Sequence, residues 1–211
     1  MKWLEAANKH PDGAVRHRNL RPVIYTHFKS SQLRIIKSRE YLETAVCLAK
    51  IDHPGRPISI FEMGCGTMDI TGPFSRRDDC VVKGCDCNQA ALNVAKQRWP
   101  KVTTVLESLS SATDVRADVL VACEILEHLR DPIPIMQSLM HQCEYAVISH
   151  PIDQPLTSQS ARHGHHCWVY DMQDFAEWFS MNEYACLKYE NGILSGGVVL
   201  VAIGVGKKRC T

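Results

Sequence analysis

The stretch ISIFEMGCGT, residues 58–67, decides how the rest of the chain is read. A short apolar run leads into Glu62, and Gly64 and Gly66 follow. Glycine lacks a Cβ, so the backbone here can turn tightly and let a ligand approach, while the next helix offers free N–H groups. One Gly-x-Gly is a weak signal, and a plain turn accounts for either glycine taken singly. Asp86 adds weight. It lies 22 residues beyond Gly64, at the end of the next apolar run, where a carboxylate can accept both hydroxyls of a ribose.

Outward from this unit the pattern repeats. Apolar runs at 81–85, 102–106, 118–123 and 145–149 alternate with helical stretches, one of them spanning 88–99 and stopped by Pro100. Such alternation predicts βαβ units and a parallel sheet. Upstream, residues 30–50 place Leu33, Ile36, Leu42, Val46 and Leu48 near helical spacing, with Ser30 or Ser31 as a cap, before the 53–57 segment breaks the chain. Downstream, runs at 185–189 and 198–205 around a turn at 190–192 read as an antiparallel hairpin, with Lys207, Lys208 and Arg209 as a solvated tail. The expected fold is a Rossmann-like α/β domain over 56–211, helices on both faces. Residues 1–55 read as an N-terminal arm and helices, a candidate lid for it. The arm carries Lys9, Arg16, Arg18, Arg21 and Lys29, with His10, His17 and His27. These read as a solvated face, or as contacts for an anionic substrate.

Composition narrows the function classes. The 211 residues are 45% apolar and 22% charged, with a formal net charge of +1, which gives no global argument for a nucleic-acid or membrane partner. No apolar run approaches the roughly 20 residues that span a bilayer, and the first residues lack a signal core. The expectation is a cytoplasmic protein. Ten cysteines with no Cys-x-x-Cys pair read as reduced, mostly buried residues rather than a disulfide framework.

A dinucleotide fold would want a third glycine at position 69, where Asp69 stands and would repel a pyrophosphate. S-adenosylmethionine (SAM) carries no phosphate, and Glu62 suits its cationic amino-acid end. The segments EMGCGT, KGCDCNQAALNVAKQRWP, ADVLVACEILEHLRDP and YAVISHP resemble, in order and spacing, the motifs of class I SAM-dependent methyltransferases of the small-molecule O-methyltransferase type. The resemblance covers about residues 56–205. It implies a seven-stranded, mostly parallel sheet whose last strand is antiparallel. It also implies that Glu62, Gly64, Cys65 and Gly66 surround the methionine part of SAM, and that Asp86 holds the ribose. Cys87, Ser108 and Leu109 border the adenine, and Cys123 and Glu124 close the pocket floor. Met68, where the family often has glycine, and Ser108, where it usually has an acid, depart from the pattern. They motivate an alternative: a catalytically degenerate binding module.

Methyl transfer to a hydroxyl needs a base near the strand ends. Glu124, Glu127 and His128 would share one helical turn. His128 is the candidate base, since imidazole titrates near neutrality, with Glu127 and His166 completing the catalytic set. The same turn plus His166 also resembles metal-dependent small-RNA 2′-O-methyltransferases. That resemblance implies Glu124, Glu127, His128 and His166 as ligands of a divalent metal and an RNA 3′ end as acceptor. His163 and His165 read as partly solvated neighbours. Trp168, Tyr170, Phe175, Trp178 and Phe179 read as packing residues, and His150-Pro151 as a turn at the ligand edge. The expected acceptor is a small molecule carrying a hydroxyl or an amine. Oligomeric state is not read from the sequence.

Overall fold

The computed structural model describes residues 1–3, 29–153, 166–195 and 199–209. In chain order its strands are β1 (Lys2–Trp3), β2 (Ile58–Met63), β3 (Cys80–Asp86), β4 (Thr103–Leu106), β5 (Val119–Cys123), β6 (Tyr145–Ile152), β7 (Trp168–Val169), β8 (Tyr184–Ser195) and β9 (Val199–Lys208). The helices are α1 (Lys29–Asp52), α2 (Gln89–Arg98), α3 (Pro132–His141) and α4 (Met172–Ser180). Seven strands form one sheet in the order β4-β3-β2-β5-β6-β9-β8, and β1 pairs with β7 apart from it. Neighbours from β4 to β6 pair in parallel, while β9 is antiparallel to both β6 and β8. The expected Rossmann-like sheet is therefore present.

Its order fixes where a ligand sits. From β2 the chain steps outward to β3 and β4, then returns to lay β5 on the other side of β2. That reversal is a topological switch point, and in such sheets ligands bind beyond the carboxyl ends of the strands there. Strand alternation builds a core on each face. Ile58 and Ile60 pack with Tyr41, Leu42 and Val46 of α1 and with Leu92 and Ala95 of α2. Phe61 and Met63 face Leu139 and Met140 of α3 and Phe175 and Trp178 of α4. With both faces covered, β5 is buried along its whole length.

Of the helical set in α1, Leu42 and Val46 are fully buried, but Leu33 and Ile36 are each 49% exposed. The buried face is Ile35, Ser38, Tyr41, Leu42, Ala45, Val46 and Ala49. Small side chains at 38, 45 and 49 let the helix lie close to the sheet between its larger buried residues. Helix α2 starts one residue later than expected because Asn88 caps it, accepting from Ala91 N–H at 3.1 Å.

Three other expectations are corrected. The segment 190–192 is not the hairpin turn: β8 continues through it to Ser195, with an irregularity between Glu190 and Ile193 and Gly192 at φ +82°. Lys207 and Lys208 are not a tail but belong to β9, and Lys207 pairs with Asp52 at 2.6 Å. His150 and Pro151 are not a turn but lie within β6, and His150 is fully buried. Its Nδ1 faces the Pro151 carbonyl at 3.0 Å and burial pushes its pKa down to about 4, so it is a core histidine. The nine described cysteines form no disulfide with one another, and Cys65, Cys80, Cys85, Cys123, Cys143 and Cys167 are buried. Among the described residues no helix is long and apolar enough to cross a membrane. The basic residues and histidines assigned to the N-terminal arm lie outside the described residues, apart from the backbone of Lys29.

Candidate functional site

The loop after β2 and the end of β3 meet at the switch point. Cys65 N–H donates to the Cys85 carbonyl at 2.9 Å, which docks the loop on β3. Gly64 and Gly66 have φ of +61° and +50°, the left-handed region that glycine enters without a Cβ penalty. A Cβ on Gly64 would collide with the Ile125 side chain, whereas one on Gly66 would meet nothing within 4 Å. Gly64 is thus needed for close packing, and Gly66 leaves open space for an approaching group. Asp86 accepts from Gly66 N–H at 2.8 Å through one carboxylate oxygen and from Asn88 N–H at 2.8 Å through the other. Each oxygen keeps a lone pair that a ribose hydroxyl can use. Asp86 therefore also organises the glycine loop, a role its sequence position does not reveal.

Glu62 lies beneath the loop, 5% exposed, with the Thr71 hydroxyl donating to its Oε2. Burial pushes its pKa up to about 8, and the nearby Asp69 and Asp86 add to the rise. Asp69 is not the free loop charge that the sequence suggests. Its carboxylate pairs with Arg98 and accepts from the Thr67 hydroxyl at 3.0 Å, while Arg39 donates to its carbonyl at 2.5 Å and 3.1 Å. With those cations beside it, Asp69 no longer argues by repulsion against a phosphate. Met68 does sit where glycine is favoured: its φ is +55°, yet its side chain is fully buried in the core. Core packing offsets the backbone strain.

On the adenine side, Cys87 and Ser108 are half-buried and Leu109 packs against the second core. The acid sought at Ser108 stands one residue earlier. Glu107 N–H donates to the Asp86 carbonyl at 3.0 Å, and Glu107 Oε1 accepts from the Thr113 hydroxyl at 2.8 Å. On the floor, Cys123 is 8% exposed and burial pushes its thiol up to about 12, so it is an inert wall.

The catalytic candidates divide into two groups. The helical turn expected to carry them is a 3-10 turn, Leu126–His128, and Glu124 stands before it at φ +55°. Glu124 therefore does not share a helical face with the others. Its Oε2 accepts from Arg34 Nη1 at 2.6 Å, and the Ser149 hydroxyl lies 3.4 Å from its Oε1. Glu127, His128 and His166 do converge, each offering a ligand atom within 4.8 Å of the others. The two imidazoles meet edge to face, centroids 4.8 Å apart, and Glu127 Oε1 is 3.8 Å from His128 Nε2. Glu127 is 1% exposed, and its Oε2 has no hydrogen-bond partner. Burial first, and the charge of Glu124 second, hold its carboxyl well above the usual carboxylate range.

Residues 166–170 are stitched to this turn. Cys167 N–H donates to the Glu127 carbonyl at 2.5 Å, Trp168 Nε1 to the Leu129 carbonyl at 3.0 Å, and the Tyr170 hydroxyl to the Leu126 carbonyl at 3.1 Å. Phe175, Trp178 and Phe179 are buried in the core, as their reading as packing residues expected. His163 and His165 lie outside the described residues. Sequence reasoning missed Arg34, which no motif marks. It also missed Glu107, which a strand end followed by an acid does signal.

The sheet order and the glycine loop define the Rossmann-like class. Residues 61–143 match the family model of a methyltransferase domain, in keeping with the likeness to class I SAM-dependent methyltransferases. No curated protein matches the chain. Among solved structures, it is similar to the magnesium protoporphyrin IX methyltransferase of Synechocystis with bound S-adenosylhomocysteine (SAH). That likeness has a TM-score of 0.68 at 12% identity and covers 96% of this chain and 95% of the other. It is similar also to the N-methyltransferase NodS of Bradyrhizobium japonicum in complex with SAH, at 0.67 and 12%, covering 94% and 98%. The methyltransferase domain of a bacterial Hen1, CtHen1, gives 0.60 at 16%, covering 85% and 100%. At these identities the likeness is one of fold.

Proposed function

We propose that this chain binds SAM at the carboxyl ends of β2 and β3, beside the β2–β5 switch point, and transfers its methyl group to a hydroxyl, or to an amine, of a small-molecule acceptor. The observation that carries this reading is the junction of Gly66 and Asp86: a carboxylate 2.8 Å from the glycine loop, beside a glycine whose Cβ position is open. Bound there, SAM supplies a methyl group on a sulfonium, already activated for in-line displacement. The residues present fit it. Asp86 accepts the ribose hydroxyls, Glu62 meets the cationic amino-acid end through the loop, and Cys87, Ser108 and Leu109 border the base. The chain's remaining task is to align the acceptor and take its proton. His128, 19% exposed on its side chain and near Glu127 and His166, is our candidate for that step. Two of the similar structures were crystallised with SAH, which supports the cofactor. Incubation with methyl-labelled SAM and a panel of hydroxyl and amine acceptors should yield labelled product, and His128→Ala should lower the rate by about a hundredfold or more. A rate untouched by that substitution would remove His128 as the base.

The convergence of Glu127, His128 and His166 favours a second reading, in which a divalent ion assists methylation of a ribose hydroxyl at an RNA 3′ end. A mixed oxygen and nitrogen donor set within 4.8 Å, with one buried carboxylate oxygen lacking a partner, fits such an ion. The ion would lower the pKa of the hydroxyl it binds. Activity on short RNA that survives a chelator would exclude this reading.

A further inference from the structure

Leu106, the last residue of β4, pairs with Asp86, and Glu107 N–H donates to the Asp86 carbonyl at 3.0 Å. Glu107 thus stands one step past Asp86, on the side of β3 away from the glycine loop. It is half-buried. Its Oε1 accepts from the Thr113 hydroxyl at 2.8 Å, and its Oε2 has no hydrogen-bond donor among the described residues. Thr113 is 1% exposed, and its hydroxyl is engaged at both ends: the oxygen accepts from Ser110 N–H at 3.2 Å while the proton goes to Glu107. Gln142, at the end of α3, holds Thr113 in turn. Its Nε2 donates to the Thr113 carbonyl at 3.1 Å, and its Oε1 accepts from Val115 N–H at 2.9 Å. A side-chain amide, a buried hydroxyl and a carboxylate therefore run in line from α3 to the strand edge. Anchoring the loop needs only the Gln142 contacts. The Thr113 hydroxyl does something further, since it fixes which way the Glu107 carboxylate points.

From this relay we infer that Thr113, anchored by Gln142, is a positioning residue that aims the second oxygen of Glu107 at the base of the cofactor and so selects a purine carrying an exocyclic amine. An ionised carboxylate only accepts hydrogen bonds. Held still, it pairs with the amine of adenine and repels the carbonyl oxygen that hypoxanthine has in its place. Free to turn, it reaches the ring N–H of hypoxanthine instead, and the distinction fades. A site built to pair with one polar group rejects an analogue that lacks it only while its own polar atom cannot find another partner. The inference rests on the proposed SAM site, because the base lies beside Glu107 only if Asp86 holds the ribose.

The test measures, by calorimetric titration of the full chain, the affinity for SAH and for S-inosylhomocysteine, in which a carbonyl replaces the exocyclic amine. The native chain should favour SAH by about tenfold or more, the ratio that about 1.4 kcal/mol produces. Thr113→Val, which removes the hydroxyl, should bring that ratio close to unity, while Thr113→Ser, which keeps the hydroxyl, should retain it. Glu107→Gln, whose amide can donate to a carbonyl, should abolish or reverse the preference. Should Thr113→Val fail to fold by circular dichroism, Gln142→Met, which leaves Thr113 and Glu107 unaltered, carries the same test and should lower the ratio. A role in holding the loop alone would weaken both ligands alike and leave the ratio where it was. An undiminished ratio in the folded Thr113→Val or its substitute, a preference kept by Glu107→Gln, or no preference in the native chain overturns the inference, while SAH binding leaves the SAM site standing. No binding of either ligand by the native chain overturns the SAM reading and this inference with it.

Discussion

At the scale of single residues, burial sets the chemistry of Glu62. The carboxyl is 5% exposed and its pKa is pushed up to about 8. The folded chain therefore holds a proton there that the unfolded chain releases near its ordinary value. Since the folded state binds the extra proton between about pH 4.5 and about pH 8, this group's contribution to stability falls as pH rises through that window. Glu62→Gln should flatten the corresponding slope of Tm against pH, and an unaltered slope would show that Glu62 is not its source. The ammonium of a bound SAM favours the ionised carboxylate. Binding at pH 7 should accordingly release up to about one proton, read as a calorimetric enthalpy that depends on the buffer's ionisation heat. No buffer dependence would separate Glu62 from the cofactor. Glycines 64 and 66, Glu62 and Asp86 were legible in the sequence because a strand end, a glycine loop and a second strand end follow one another at short range. The Arg34–Glu124 pair was not legible, since 90 residues lie between its partners and no local pattern announces it.

At the scale of elements, helix α1 is the clearest divergence between pattern and packing. Periodicity of large residues points to Leu33, Ile36, Leu42 and Val46, but only Leu42 and Val46 are buried, alongside the small Ser38, Ala45 and Ala49. Ala45→Leu should therefore cost about 1–3 kcal/mol through overpacking. Ile36→Ser, on the exposed side, should stay within about 0.5 kcal/mol. Urea unfolding of both variants checks this, and the reverse order would contradict the placement of α1. The strands of the sheet were read within a few residues of their ends, because apolar runs bounded by acids and glycines are unambiguous when both faces are covered. Strand β8 was misread at Gly192, where Asn191-Gly192 has the composition of a turn but forms an irregularity inside a long strand. His150 was misread because His-Pro looks like a chain break, whereas β6 continues through it against β9. The turn at 126–128 was read as helical, and its 3-10 geometry with Glu124 at positive φ explains why the carboxylates part company.

At the scale of the whole molecule, the switch between β2 and β5 brings the glycine loop, Asp86 and the Glu127–His128–His166 group to the same edge of one sheet. A cofactor held at one end of that edge and a base, or an ion, near the other is the arrangement methyl transfer requires. If SAH binds only the folded chain, saturation at about a hundred times its Kd should add about 2.7 kcal/mol to stability, seen as a rise in Tm. The most direct test is calorimetric titration of SAH into the native chain and into Asp86→Ala, with circular dichroism confirming the fold of both. The native chain should bind at one site, and Asp86→Ala should bind at least about tenfold more weakly, a loss of about 1.4 kcal/mol. Equal affinity in the two proteins, or no binding by the native chain, would contradict the assignment of this edge to SAM.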